Sequence, residues 1–336
     1  MSTFVLRLPM KKHLVFFAIL LLPIRIFADK AVIEPHPSQE FEPWFTGPLI
    51  APASMIIPPG HYDIEPYIFA TAHTAFYDRD WEAQPRTTFW NFSFQPLIEI
   101  GVLSFMDFEI IPNISYNLAN GSGNWIFGDL DTYLNFQLFS FTDPVWHSSL
   151  KFSLAETFPT GKYQNLNPRK NFTDQGGLGS WQTGFWLVWG NQVHVTGHQF
   201  FNARLSFAYT YLTSVKIRGI NAYGGSIDTN GTIYPGRIFN VDLGIEYSLS
   251  QNWAFAIDII GNWQGRNIFT GVEGPALTGR GLAQTGLGAS AQFSLAPAIE
   301  YNWSENLGLI AGVWFTVAGR ESTKFASGVI AVNYYH

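Results

Sequence analysis

Trp90-Asn91-Phe92-Ser93-Phe94-Gln95-Pro96-Leu97-Ile98-Glu99-Ile100 is apolar at its even positions and mostly polar at its odd ones. A β-strand sends alternate side chains to opposite faces. One face of this stretch is therefore continuously apolar over roughly 10 residues, the length of a tilted membrane-crossing strand. The same alternation recurs from Tyr62 to the C-terminus. It predicts an all-β fold, a transmembrane antiparallel up-and-down β-barrel of about 12 strands. Soluble sandwiches also alternate, but their strands average about 5–6 residues, and these are about twice that length with Trp and Tyr on the apolar face.

Composition agrees. Aromatic residues make up 17% of the chain and charged residues 13%, which suits a lipid-facing surface. Gly is abundant and Cys is absent, so neither a disulfide framework nor a thiolate metal site is available. At the N-terminus, Lys11 and Lys12 precede the apolar run 14–22, followed by Pro23, Arg25 and the small residue Ala28. That order is a secretory signal, too short to span as a helix, and residues 1–28 are read as a signal peptide, with Met1 or Met10 as the start. Its removal takes away four cations and no acid, moving the formal charge from -6 to -10. Such a charge excludes nucleic acid as a partner class. Residues 29–60 are Pro-rich and lack the alternation; they are expected to form a periplasmic extension or a plug. Residues 61–336 form the barrel.

Within the barrel the expected strands are 61–76, 88–103, 107–118, 125–139, 147–158, 181–190, 201–215, 238–249, 253–264, 287–303, 307–318 and 324–336. Tight turns alternate with long connections at 162–180, 216–237 and 265–286, the expected periplasmic and outer asymmetry. Two connections depart from it: 191–200 is long for a periplasmic turn, and 319–323 is short for an outer loop. Trp90, Trp181, Trp189, Tyr211, Trp253, Tyr301 and Trp303 near strand ends suit the two headgroup girdles. The last strand alternates toward His336 where many such barrels carry a terminal aromatic. Expected partners are outer-membrane lipid, the barrel-assembly machinery and a small-molecule solute.

Gly128-Asp129, Pro159-Thr160-Gly161-Lys162-Tyr163 and Gly176-Gly177-Leu178-Gly179-Ser180-Trp181 together resemble the outer-membrane family named after the meta-cleavage pathway of phenol degradation. The resemblance spans most of the chain after residue 60, though its motifs are short and mostly turn chemistry. It implies a barrel that passes small aromatic or other hydrophobic compounds.

Strand phase assigns an acidic inward set: Asp63, Glu65, Glu99, Asp107, Glu109, Asp129, Asp131, Asp242, Glu246, Asp258 and Glu300. Only Lys151 and Arg204 oppose them. Around narrow water, such a set attracts cations. Polar lumens are the rule, however, and Asp63, Glu65, Asp107 and Glu109 are expected at the periplasmic mouth in bulk water. Inward rings at Tyr67, Phe69, Tyr133, Trp186 and Trp314 offer a track for an aromatic solute or simply fill the interior.

No nucleophile elbow accompanies His147, Ser148 and Ser149. The pair His194 and His198 falls where Gly197 predicts a turn rather than a zinc-binding helix. No catalytic, cofactor-binding or metal-binding residue is assigned. The function expected is passage of small solutes through the barrel. The competing reading is a surface interaction barrel acting through its long outer loops.

Overall fold

A computed structural model describes residues 44–336 except Pro144, His198, Leu277–Arg280 and Leu287. The expected signal peptide and residues 29–43 lie outside the described residues. Seventeen strands occur among them: β1 (Tyr62–Tyr77), β2 (Ala83–Leu103), β3 (Met106–Ile111), β4 (Ile114–Ala119), β5 (Ser122–Phe127), β6 (Leu130–Thr142), β7 (Trp146–Phe158), β8 (Gln182–Thr196), β9 (Gln199–Leu212), β10 (Val215–Arg218), β11 (Asn230–Tyr234), β12 (Ile238–Ser248), β13 (Trp253–Gln264), β14 (Ile268–Val272), β15 (Ser290–Ser304), β16 (Leu307–Arg320) and β17 (Ser322–Tyr335).

Each wall strand pairs antiparallel with its sequence neighbours, and β1 pairs with both β2 and β17, which closes the sheet into a barrel. Closure removes every edge that would leave backbone groups unpaired in lipid. The wall has twelve staves, because β3–β4 is one stave and β5–β6 another. Their shared interruption is at Pro112, which has no N–H to give, and at Gly128-Asp129. The ladder continues across it through the hydrogen bond from Gly128 N to Asn113 O, 2.8 Å.

The alternation that predicts the strands also sets their faces. Trp90, Phe92, Phe94 and Ile100 point out to the lipid, while Ser93 and Glu99 are buried in the interior. Rings gather at both ends of the wall. Tyr301 contacts Trp253 and Trp303 at the periplasmic end, and Phe158 meets Trp181 edge-on at the outer end. The expected strand boundaries hold closely, with two connections corrected. The connection expected at 191–200 is a tight hairpin, because β8 runs on to Thr196 and pairs with Gln199. Polar residues on both faces there, such as Asn191, Gln192 and Gln199, erase the alternation. The connection expected at 319–323 is tighter still: Glu321 alone turns the chain, at φ 48°.

The three long outer connections fold against one another. β10, β11 and β14 form a separate three-stranded sheet. Val215, Ile217, Tyr223 and Ile233 make its core, packed by Tyr163, Leu178, Ala222 and Phe269. One clamp ties the 159–181 connection to the wall. The Asp129 carboxylate accepts the N–H groups of Gly161 at 2.9 Å and Leu178 at 3.0 Å, and Thr160 Oγ1 donates to Gly128 O at 2.8 Å. A Cβ at Gly177 would lie 2.2 Å from Asp129 Oδ1, so close approach of the backbone requires glycine there. The three motifs behind the family resemblance thus meet at one point in space.

Candidate functional site: the barrel lumen

Residues Trp44–Pro59 run inside the barrel. Leu49 is 1% exposed and packs on the inward faces of Ala256, Ala296, Ala298, Ile310, Val329 and Ala331. These small residues leave room that bulkier side chains would fill. At Gly190 a Cβ would fall 1.9 Å from Ser54 Oγ, and at Gly244 it would fall 2.6 Å from Pro48 Cγ. Glycine inside a strand here marks where another backbone approaches.

The segment has almost no regular structure, so its amides need acceptors from the wall. Carboxylates supply most of them. Glu300 accepts both Thr46 N and Thr46 Oγ1 at 2.9 Å. Asp258 accepts Ile50 N at 3.2 Å and Ala51 N at 2.9 Å. Asp107 accepts Ile57 N at 2.9 Å, and Gln137 accepts Ile56 N at 3.0 Å. Ser149 donates to Ser54 Oγ at 2.9 Å, and Asn302 donates to Trp44 O at 3.0 Å. The path enters beside Asn302 on β15, rises to Asp258 on β13, crosses to Ser149 on β7, and descends past Asp107 into β1. It is an arch across the periplasmic half of the lumen.

The sequence-derived site residues fall into three levels. In the periplasmic half, Glu99 faces Lys151 at 4.0 Å, and Glu246 faces Arg204 at 3.6 Å and accepts Asn202 Nδ2 at 2.6 Å. Lys151, Glu246, Asp258 and Glu300 are fully or almost fully buried, and so is Asp242 at 5% exposure. The bulk-water position expected for Asp107 does not hold, since it is 0% exposed beneath the segment. Asp63 is buried as well, sharing the Asn333 side-chain amide with Glu65. At mid-height lie the rings. Tyr67 and Phe69 stack at 5.8 Å, Tyr133 meets Trp186 edge-on, and Trp314 packs on Phe325 at 4.8 Å while donating to Ser294 Oγ. Toward the outer end, Asp131 accepts the Thr157 hydroxyl, and Asp129 serves the loop clamp.

Above the rings a cavity of about 930 Å³ opens beneath the outer connections, bordered by His73, Asn91, Asp131, Gln182 and Phe172 among others. His147 pairs with Thr142 and Gln192 at the β6–β7 turn, remote from this cavity. His194 stacks on Phe200 at 4.5 Å and its Nε2 meets Gly197 O; His198 lies outside the described residues. Thr46, Ser54, Gln137 and Asn202 escape the sequence reading, and Ser149, weighed there only as a nucleophile, holds the segment instead. Their signal is the inward glycines, read there only as turn formers.

No family model and no curated protein sequence matches the chain. Among solved structures, an outer membrane channel from Pseudomonas putida F1 aligns at TM-score 0.63 with 12% identity, covering 84% of this chain and 98% of that one. The chain has the fold of an outer-membrane β-barrel. The β domain of the Bordetella autotransporter BrkA aligns at TM-score 0.43 with 9% identity, over 81% of this chain and 98% of that one. The NanC porin aligns at 0.40 with 9% identity, over 80% and 98%.

Proposed function

We propose that the protein is an outer-membrane channel for small solutes whose lumen is closed at its periplasmic half by residues 44–59. The observation that carries this reading is the pairing of that segment's amides with wall carboxylates below an open outer cavity. A segment held by side-chain acceptors, with no strand ladder of its own, can leave without breaking the barrel. Once it leaves, the carboxylates line the path and favour cations or neutral polar solutes over anions. The resemblance to the phenol meta-cleavage family supports a cargo with an apolar face, and the rings at mid-height offer surfaces for it.

The chain has no cysteine, which makes a lock simple to build. Ser54→Cys with Ser149→Cys places two thiols where the hydroxyls are 2.9 Å apart. Oxidation should stop solute flux into vesicles and reductant should restore it. Flux indifferent to the lock contradicts the proposed closure.

A further inference from the structure

The outer cavity has a chemistry that the mid-height rings do not share. Eight carboxamides border it, among them Asn91, Asn113, Asn120, Asn167, Asn171 and Gln182. Three use only part of their capacity. Asn91 donates to Asn117, Asn113 Oδ1 accepts from Ser115, and Asn167 Oδ1 accepts the N–H of Arg169. The side chains of Asn120, Asn171 and Gln182 make no hydrogen bond among the described residues.

The charged groups are already committed or peripheral. Asp129 accepts two loop amides, one on each oxygen, and Asp131 accepts the Thr157 hydroxyl. Arg86 is exposed at the rim. The spare capacity is therefore mostly that of neutral amides, with donors and acceptors mixed. Ring faces stand beside it, from His73, Phe89 and Phe172.

We infer that this vestibule is a binding site for neutral, hydroxyl-rich solutes of mono- to disaccharide size. A hydroxyl both donates and accepts, as a carboxamide does, so each can satisfy the other in either direction. A sugar ring also carries an apolar face for the aromatic rings. A hydrocarbon would strip water from the amides and return no hydrogen bond. An anion would face the carboxylates of Asp129 and Asp131. The volume of about 930 Å³ lies within the usual range of small-molecule sites. The inference rests on the channel reading for its physiological meaning and narrows the cargo within it.

The test is calorimetric titration of the folded protein, in a detergent without a sugar headgroup, with glucose, maltose, cellobiose and sucrose, and with toluene as the apolar probe. Saturable binding of at least one sugar is expected. It should weaken about tenfold in Gln182→Met, which keeps the bulk and removes the amide. Phe172→Ala should weaken it likewise, and that side chain is exposed on a connection, so the barrel will still fold. No sugar binding, binding untouched by both substitutions, or binding of toluene alone overturns the inference. Vesicle flux separates it from the channel reading: sugar bound but nothing passed sinks the channel, whereas solutes passed with no sugar bound sinks the vestibule site.

Discussion

Asp258 on β13 accepts the backbone N–H of Ala51 at 2.9 Å, although 207 residues of chain separate the two. The same carboxylate takes Ile50 N at 3.2 Å. A buried carboxylate is costly unless hydrogen bonds meet its lone pairs, and a bare amide in a barrel is costly for the same reason. Each group solves the other's problem, and this reciprocity makes the lumen acids anchors for the segment before they are anything else.

Packing should matter alongside these bonds. Leu49→Ala removes a side chain fully enclosed by the Ala-rich wall, and large-to-small changes at such sites cost about 2–5 kcal/mol. That cost should fall on seating the segment, not on the barrel. Amide hydrogen exchange at Ile50, Ala51 and Ile57 should quicken, while that of β12 and β13 stays slow. Equal protection in the variant would argue that Leu49 contributes nothing to the seat.

Gly190→Ala tests the close approach from the opposite wall. The added methyl would meet Ser54 Oγ at 1.9 Å, so the segment must shift. A Ser54→Cys probe in this background should react faster with a small maleimide than in the Gly190 protein. The heat-modifiable mobility of the barrel should be unchanged. Unaltered labelling would mean the segment yields freely at this point.

The outer clamp should behave as a unit. Asp129→Ala deletes two hydrogen bonds from backbone amides to a carboxylate, each worth roughly 1.5–3 kcal/mol. Trypsin should then cut at Lys162, Arg169 or Lys170 more quickly, with the β6–β7 pairing preserved. Protection as in the native protein would show that the sheet of β10, β11 and β14 holds the connection unaided.

Within that connection, Asp174 gives a pH signature. Burial works to raise its pKa. The hydrogen bonds from Lys162 Nζ at 2.6 Å and Asn167 N, with the Lys162 charge, outweigh burial and hold it below its ordinary value. A depressed carboxyl stabilises the fold above its unfolded pKa, about 3.9 for Asp, and loses that stabilisation as pH falls through the folded value. Pepsin should therefore cleave 159–181 increasingly as pH drops below about 4. In Lys162→Met, where burial is unopposed by the ammonium, the onset should move to higher pH. An onset at the same pH in both proteins would remove Asp174 from the account.

The wall was legible from the sequence because lipid outside and a filled lumen inside impose a period of two on every stave. Even the inward phase of Glu99, Lys151, Asp258 and Trp186 follows from that period alone. It fails at Asn191–Gln199, where both faces are polar. The sheet of β10, β11 and β14 was illegible for another reason: its strands have only four or five residues and pair across connections far apart in sequence. The path of residues 44–59 has no period at all. Its trace was indirect, in glycines such as Gly190 and Gly244 on inward positions of otherwise bulky strands.

The most direct test of the closed lumen is planar-bilayer conductance under a KCl gradient, comparing the native protein with Asp258→Asn/Glu300→Gln. Amide side chains accept the segment's N–H groups less strongly than carboxylates do, so the variant should open more often and for longer. Adding Asp242→Asn should also reduce the cation preference of its reversal potential. Equal open probability in native and variant proteins, both correctly folded, would contradict the account.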